Sequence, residues 1–124
     1  MNIIIMNSSD VSIYKQIEDQ IKAQIIQGKL KSGELMPSIR NLAKELQISV
    51  ITVKKAYDNL EQLKFLTTVG GKGTYVADQD QDFLREKKMN IVENKISDAI
   101  TEAKELGLSF EEITEICRLI YNEN

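Results

Sequence analysis

The chain has 124 residues, 42% of them hydrophobic and 28% charged, with a net charge of −3, one cysteine and no histidine. That length holds one compact domain with an appendage, or two very small units. Lacking histidine, it lacks the commonest general base and metal ligand and the Ser-His and Cys-His nucleophile pairs, and neither clustered Cys/His for zinc nor a glycine-rich phosphate loop is present.

Paired carboxylates stay formally open as a hydrolytic device, but no residue pattern supports an enzyme, and no cofactor or metal is expected. The longest apolar run falls far short of the ~20 residues that cross a bilayer. Ile3-Ile4-Ile5-Met6 is too short for a secretory signal and has no basic leader. The expectation is a cytoplasmic protein without a membrane partner.

Residues 13–27 carry Ile13, Ile17, Ile21 and Ile25, an i, i+4 apolar row flanked by Tyr14 and Ile26. This is the core stripe of an amphipathic first helix. Ser12 or Asp10 stands where a cap belongs, and Gly28 supplies the left-handed stop. Gly33 marks a turn in the segment that follows. Pro37, the only proline, disfavours helix before it. Ser38 then caps a second helix of about two turns, with Ile39, Leu42, Ala43 and Leu46 on one side.

Gln47-Ile48 is a tight link, and Ser49 caps a third helix that runs to about Leu63. Val53, Ala56, Tyr57 and Leu60 form its inward row. A short helix and a longer one separated by two or three residues make a helix-turn-helix. Period-two residues follow: Phe65 to Val69 as one strand, Gly70-Gly71-Lys72-Gly73 as a tight turn, and Thr74 to Ala77 as the returning strand. Helix-turn-helix plus hairpin predicts a winged helix over residues 1–77, with Tyr57 and Tyr75 in its core.

Residues 78–82 read as an acidic linker to a long helix from Phe83 to Leu106. Met89, Val92, Ile96, Ala99, Ala103 and Leu106 repeat at heptad spacing along it. Gly107 ends this helix. Ser109 and Glu112 form a capping box, with Leu108 and Ile113 as its staple, for a last helix bearing Phe110, Ile113, Ile116, Cys117 and Ile120. Cys117 reads as a small buried hydrophobe. The alternative, a reactive thiol, needs a basic and exposed setting, whereas Glu111, Glu112 and Glu115 surround it.

A helical hairpin of this size is too small to bury a core alone. Its apolar faces must meet the first domain or a second copy, and the heptad seam favours the second copy. The expected fold is therefore mainly α with a small β-hairpin: a winged helix-turn-helix, then an α-helical hairpin over 78–124 that forms a homodimer.

Charge divides along the same line. Residues 1–77 hold 10 Lys/Arg against 7 Asp/Glu, and residues 78–124 hold 6 against 12. Only the front half suits a polyanion, and double-stranded DNA is the expected partner. In a winged helix the second helix of the motif enters the major groove by its N-terminal turn. Here that turn offers Val50 and Ile51 to thymine methyls and Ser49 and Thr52 to phosphate or base. Lys54 and Lys55 follow, within reach of phosphates or a guanine edge.

Arg40, in the first turn of the second helix, suits a phosphate clamp, its bland alternative being a surface ion pair with Glu45. Lys72, between glycines at the wing tip, suits phosphate or minor groove. The competing reading is a winged-helix module that docks protein and recruits a partner through its acidic tail. The basic wing and neutral helix start argue against that. No polar cluster names a small-molecule effector.

These residues also resemble the GntR-type bacterial regulators. The resemblance is carried by Ile13-Tyr14-Lys15-Gln16-Ile17, Gly28-Lys29-Leu30, Gly33 and Pro37-Ser38-Ile39-Arg40-Asn41-Leu42-Ala43. Ser49, Thr52-Val53, Ala56-Tyr57, Leu60-Glu61 and Gly71-Lys72-Gly73-Thr74-Tyr75-Val76 complete it. It implies DNA contacts at Arg40, Ser49, Thr52, Lys54, Gly71 and Lys72. Val50 stands where many members carry a guanine-reading arginine, Lys64 replaces a usual glycine, and Ser12 and Ser32 replace prolines. The short tail is similar to that of the YtrA-like subgroup, which implies dimerisation through it and repression of an operon for an ABC-type transporter, bound at a palindromic operator.

Overall fold

A computed structural model of the chain describes residues 1–123. It divides into two compact units, residues 1–84 and 85–124. Phe83 and Leu84, past the expected linker, pack against the first unit's core. Phe83 stands 6.0 Å from Phe65, ring centre to ring centre.

The first unit contains α1 (Ile13–Ile26), α2 (Ile39–Leu46), α3 (Val50–Gln62), β1 (Leu66–Val69) and β2 (Gly73–Val76), together with the start of α4 (Gln81–Glu105). Packing explains the order. The α1 row Ile17, Ile21 and Ile25 is buried, as is the α3 row Val53, Ala56, Tyr57 and Leu60, and the two helices lie against each other. Leu42 and Ala43 close the core from α2, and Phe65, Leu66 and Val76 close it from the hairpin.

Chain ends behave as the residue types dictate. Ser38 Oγ accepts from the Asn41 N–H and Ser49 Oγ accepts from the Thr52 N–H, both at 3.1 Å. Ser12 holds the cap position of α1 but makes no side-chain cap bond. Gly28 adopts φ +80° after α1. Lys64 adopts φ +66° after α3, a left-handed conformation in which its Cβ crowds the next carbonyl. Its side chain is exposed, so Lys64→Gly should relieve that crowding without loss of packing. The expected gain is about 1 kcal/mol, or roughly 4–8 °C in Tm for a domain of this size, measured by thermal melting.

β1 and β2 pair antiparallel, Leu66 opposite Val76 and Val69 opposite Gly73. The segment before Pro37 extends the hairpin. Leu35 bridges to Tyr75, Gly33 N–H donates to the Val76 carbonyl at 2.8 Å, and Met36 N–H donates to that of Thr74 at 2.8 Å. Gly73, at φ +121°, leaves room for the Leu35 side chain, which a Cβ would approach to 3.2 Å. Tyr75 is only half-buried, unlike the fully core Tyr57.

The N-terminal segment also joins the first unit. Gln16, Gln20 and Gln24, one turn apart along α1, hold the backbone of residues 2–6. Gln20 pairs with both Ile4 N–H (2.9 Å) and carbonyl (2.7 Å), and Gln16 with both Met6 N–H (2.8 Å) and carbonyl (3.1 Å). Gln24 donates to the Asn2 carbonyl at 2.8 Å. Ile3 and Ile5 then face the core.

The second unit consists of the rest of α4 and α5 (Phe110–Glu123). Gly107, at φ +81°, breaks the chain between them. The capping box forms: Ser109 N–H donates to Glu112 Oε1 at 3.0 Å, and Glu112 N–H donates to Ser109 Oγ at 3.2 Å. Those bonds hold the Glu112 carboxyl below its ordinary pKa. No described residue of α4 or α5 is buried. Ile96, Ala99, Ile100, Ala103, Ile113, Ile116, Cys117 and Ile120 line an open apolar groove of about 260 Å³. Cys117 is therefore exposed rather than buried, because the groove it lines is open.

Candidate nucleic-acid interface

Three exposed features of the first unit carry the residues singled out in the sequence: the starts of α2 and α3 and the tip of the hairpin. Arg40 lies in the first turn of α2, exposed, and among the described residues it forms no ion pair, with Glu45 or any other carboxylate. Its five N–H donors are available for an anion.

At the wing tip the Lys72 N–H donates to the Val69 carbonyl at 2.9 Å. Gly71, the third residue of that four-residue turn, has φ +76°, the position at which a type II turn calls for glycine. Lys72 is exposed at the head of this turn, and Tyr75 Oη donates back to its carbonyl at 3.3 Å. One pair below its tip the wing is fastened to α3, where Thr68 bonds to both Glu61 of α3 and Thr74 of β2.

The α3 start is less polar than its sequence implies. Ser49 Oγ and Thr52 Oγ1 lie 2.7 Å apart and bond to each other. Two hydroxyls in mutual contact keep one O–H hydrogen between them for an outside acceptor. Lys54 reaches Asp58, one turn on, at 2.8 Å, and that partner raises its pKa. Both side chains are more than half exposed, so the pair is weak and open to exchange with a phosphate.

Lys55 differs from the expectation. Its ammonium sits 4.0 Å from the centre of the Tyr14 ring on α1, a cation–π contact that turns the charge toward α1 instead of outward from the helix start. What remains at the outer face of the first turn is apolar. Val50 is 48% exposed and Ile51 79%.

Sequence reasoning missed a bond that ties α3 to the segment ahead of α2. Tyr57 Oη, inside the core, donates to the Pro37 carbonyl at 2.8 Å. Burial pushes its phenol pKa well above the ordinary range, so the hydroxyl remains a donor at any physiological pH. Pro37 precedes the Ser38 cap, and Tyr57 belongs to α3, so one bond couples the start of α2 to α3. A tyrosine in an otherwise aliphatic row was the available signal, since a buried phenol needs a partner for its hydroxyl.

A short helix, a tight turn, a second helix with an exposed N-terminal turn, and a hairpin with a lysine at its tip define a winged helix-turn-helix of the DNA-binding regulator class. The family model for bacterial regulatory proteins of the gntR family matches residues 13–76, and the chain belongs to that family. It is similar to the HTH-type transcriptional repressor YtrA of Bacillus subtilis, 34% identical over 107 residues that cover 86% of this chain and 82% of that protein. That likeness extends past residue 76 into the tail and marks the chain as YtrA-type.

Among solved structures, a transcriptional regulator from Oenococcus oeni superposes with a TM-score of 0.78 at 28% identity, covering 94% of this chain and 99% of that one. The DNA-binding domain of AraR, solved in complex with operator ORX1, matches 62% of this chain and 96% of its own at TM-score 0.55 and 26% identity. The chain is thus a GntR-family transcriptional regulator with a DNA-binding winged helix, and its relatives are regulators rather than enzymes. Among the described residues no helix is long and apolar enough to cross a membrane.

Proposed function

We propose that the protein is a sequence-specific repressor that works in the cytoplasm and grips a palindromic operator as a homodimer. Arg40 and Lys72 clamp phosphates, while Gly71 lets the wing backbone approach the duplex. Ser49, Val50, Ile51, Thr52 and Lys54 enter the major groove, and Lys55 stays on Tyr14. The observation that carries the DNA reading is the likeness of the first unit to an operator-bound domain, taken with an exposed helix start and an exposed wing-tip lysine.

Dimerisation rests on the tail, in which Met89, Val92, Ile96 and Leu106 are each at least half exposed along α4. Ala99, Ala103, Ile113, Ile116 and Ile120 supply the facing apolar surface. Two copies joined there hold their recognition helices one duplex turn (~34 Å) or a multiple apart. Repression of an ABC-type transporter operon is the proposed role, on the likeness to YtrA-type regulators.

The test is binding to DNA from the protein's own promoter, measured by anisotropy against random duplex over a salt series. Specific binding is expected, with affinity falling steeply as salt rises. Arg40→Ala and Lys72→Ala should each weaken binding to all sequences and reduce the salt slope by about 1. Promoter fragments bound no better than random DNA would overturn the repressor reading.

A further inference from the structure

The outer face of the α3 start combines two facts that point to one kind of base pair. Ile51 follows the helix start directly and lies opposite the buried row of Val53, Ala56, Tyr57 and Leu60, so it stands at the crest of the solvent face. At 79% exposure it is among the most exposed large aliphatic residues in the described chain, and Val50 beside it is 48% exposed. Such residues at an unpartnered crest lose free energy to water unless a ligand covers them.

The polar groups nearby are already engaged. Ser49 and Thr52 bond to each other, Ser49 Oγ also accepts the Thr52 N–H, Lys54 is drawn to Asp58, and Lys55 lies on Tyr14. No bidentate donor or acceptor, of the sort that distinguishes guanine or adenine, stands in the first turn.

Resting on the repressor reading above, we propose that Ile51, with Val50, selects operator half-sites by packing on thymine C5-methyl groups. The half-site positions beneath the α3 start are therefore A·T pairs, and their recognition depends on the methyl group. The chemistry follows from what a base edge can offer. In the major groove only thymine presents a methyl group, and a methyl against an isoleucine or valine excludes water from both. The remaining Ser49–Thr52 hydroxyl hydrogen serves a phosphate oxygen and sets register without reading sequence. Charge complementarity argues for the duplex as occupant. The same half of the chain carries Arg40, Lys72 and an excess of positive charge.

The experiment starts with selection of random duplexes on the full-length protein. Each thymidine of an enriched half-site is then replaced by deoxyuridine, which keeps every hydrogen bond and removes only the methyl. At one or two positions per half-site the affinity of the wild-type protein should drop by about fourfold, the factor expected for one buried methyl-sized group. Ile51→Ala should bind the methylated site more weakly and no longer respond to deoxyuridine at one of those positions. Ile51 is exposed, so this variant keeps its fold, which circular dichroism checks.

Half-sites in which every thymidine can be replaced without effect overturn this inference alone, as does an Ile51→Ala protein that keeps the full methyl response. So do enriched half-sites with only G·C pairs beneath the helix start. A selection that enriches nothing overturns the repressor reading itself.

Discussion

Ile116→Asp in α5 is expected to convert the protein from dimer to monomer and to weaken binding to a two-half-site operator by about 10²–10⁴-fold, the factor lost when paired sites no longer act together. Ile116 lines the apolar groove of the tail beside Ile113 and Ile120. A carboxylate there has no cation to meet in that lining, and its burial against a second copy costs several kcal/mol. Ile116 lies outside residues 1–84, so the same change leaves the first unit able to fold. Sedimentation velocity measures the first effect and anisotropy with single and paired half-sites the second. A variant that sediments as a dimer would refute the proposed interface. One that is monomeric yet retains full affinity for the paired site would refute the link between assembly and operator grip.

Leu60→Ala is expected to destabilise the first unit strongly. Leu60 is fully buried on α3, the helix packed against both α1 and α2 and adjoining β1. Removal of its isobutyl group leaves a void in the core. The expected loss is about 3–4 kcal/mol, equivalent to a fall in Tm of roughly 12–32 °C. Thermal melting monitored at 222 nm measures it, and a drop of less than about 1 kcal/mol would mean that the core closes around the void. DNA binding should persist at low temperature, since the exposed crest of α3 is untouched.

The elements that the sequence announces most clearly are those set by local rules. The 13, 17, 21, 25 isoleucine row, the Ser38 and Ser49 caps, the stop at Gly28 and the Ser109–Glu112 box each involve residues within one or two turns, and each forms. The Lys54–Asp58 pair is equally local, an i, i+4 pair on α3.

Long-range pairings were not readable in the same way. Gln24 reaches Asn2 across 22 positions, and Tyr57 reaches Pro37 across 20. Nothing in spacing alone matches a donor to a backbone carbonyl that far away. Lys55 shows the same limit: its placement on Tyr14 depends on how α1 crosses α3, a property of packing. Cys117 shows another. Its apolar neighbours correctly signalled an apolar environment, but that environment is a groove open within one chain, and periodicity does not say which molecule closes it.

The Tyr57 hydroxyl bond has a consequence for the energetics of docking. Because it joins the loop ahead of α2 to the middle of α3, it restrains one helix start relative to the other. Helix starts restrained in advance surrender less freedom on meeting a ligand. More of their contact energy is then retained as affinity.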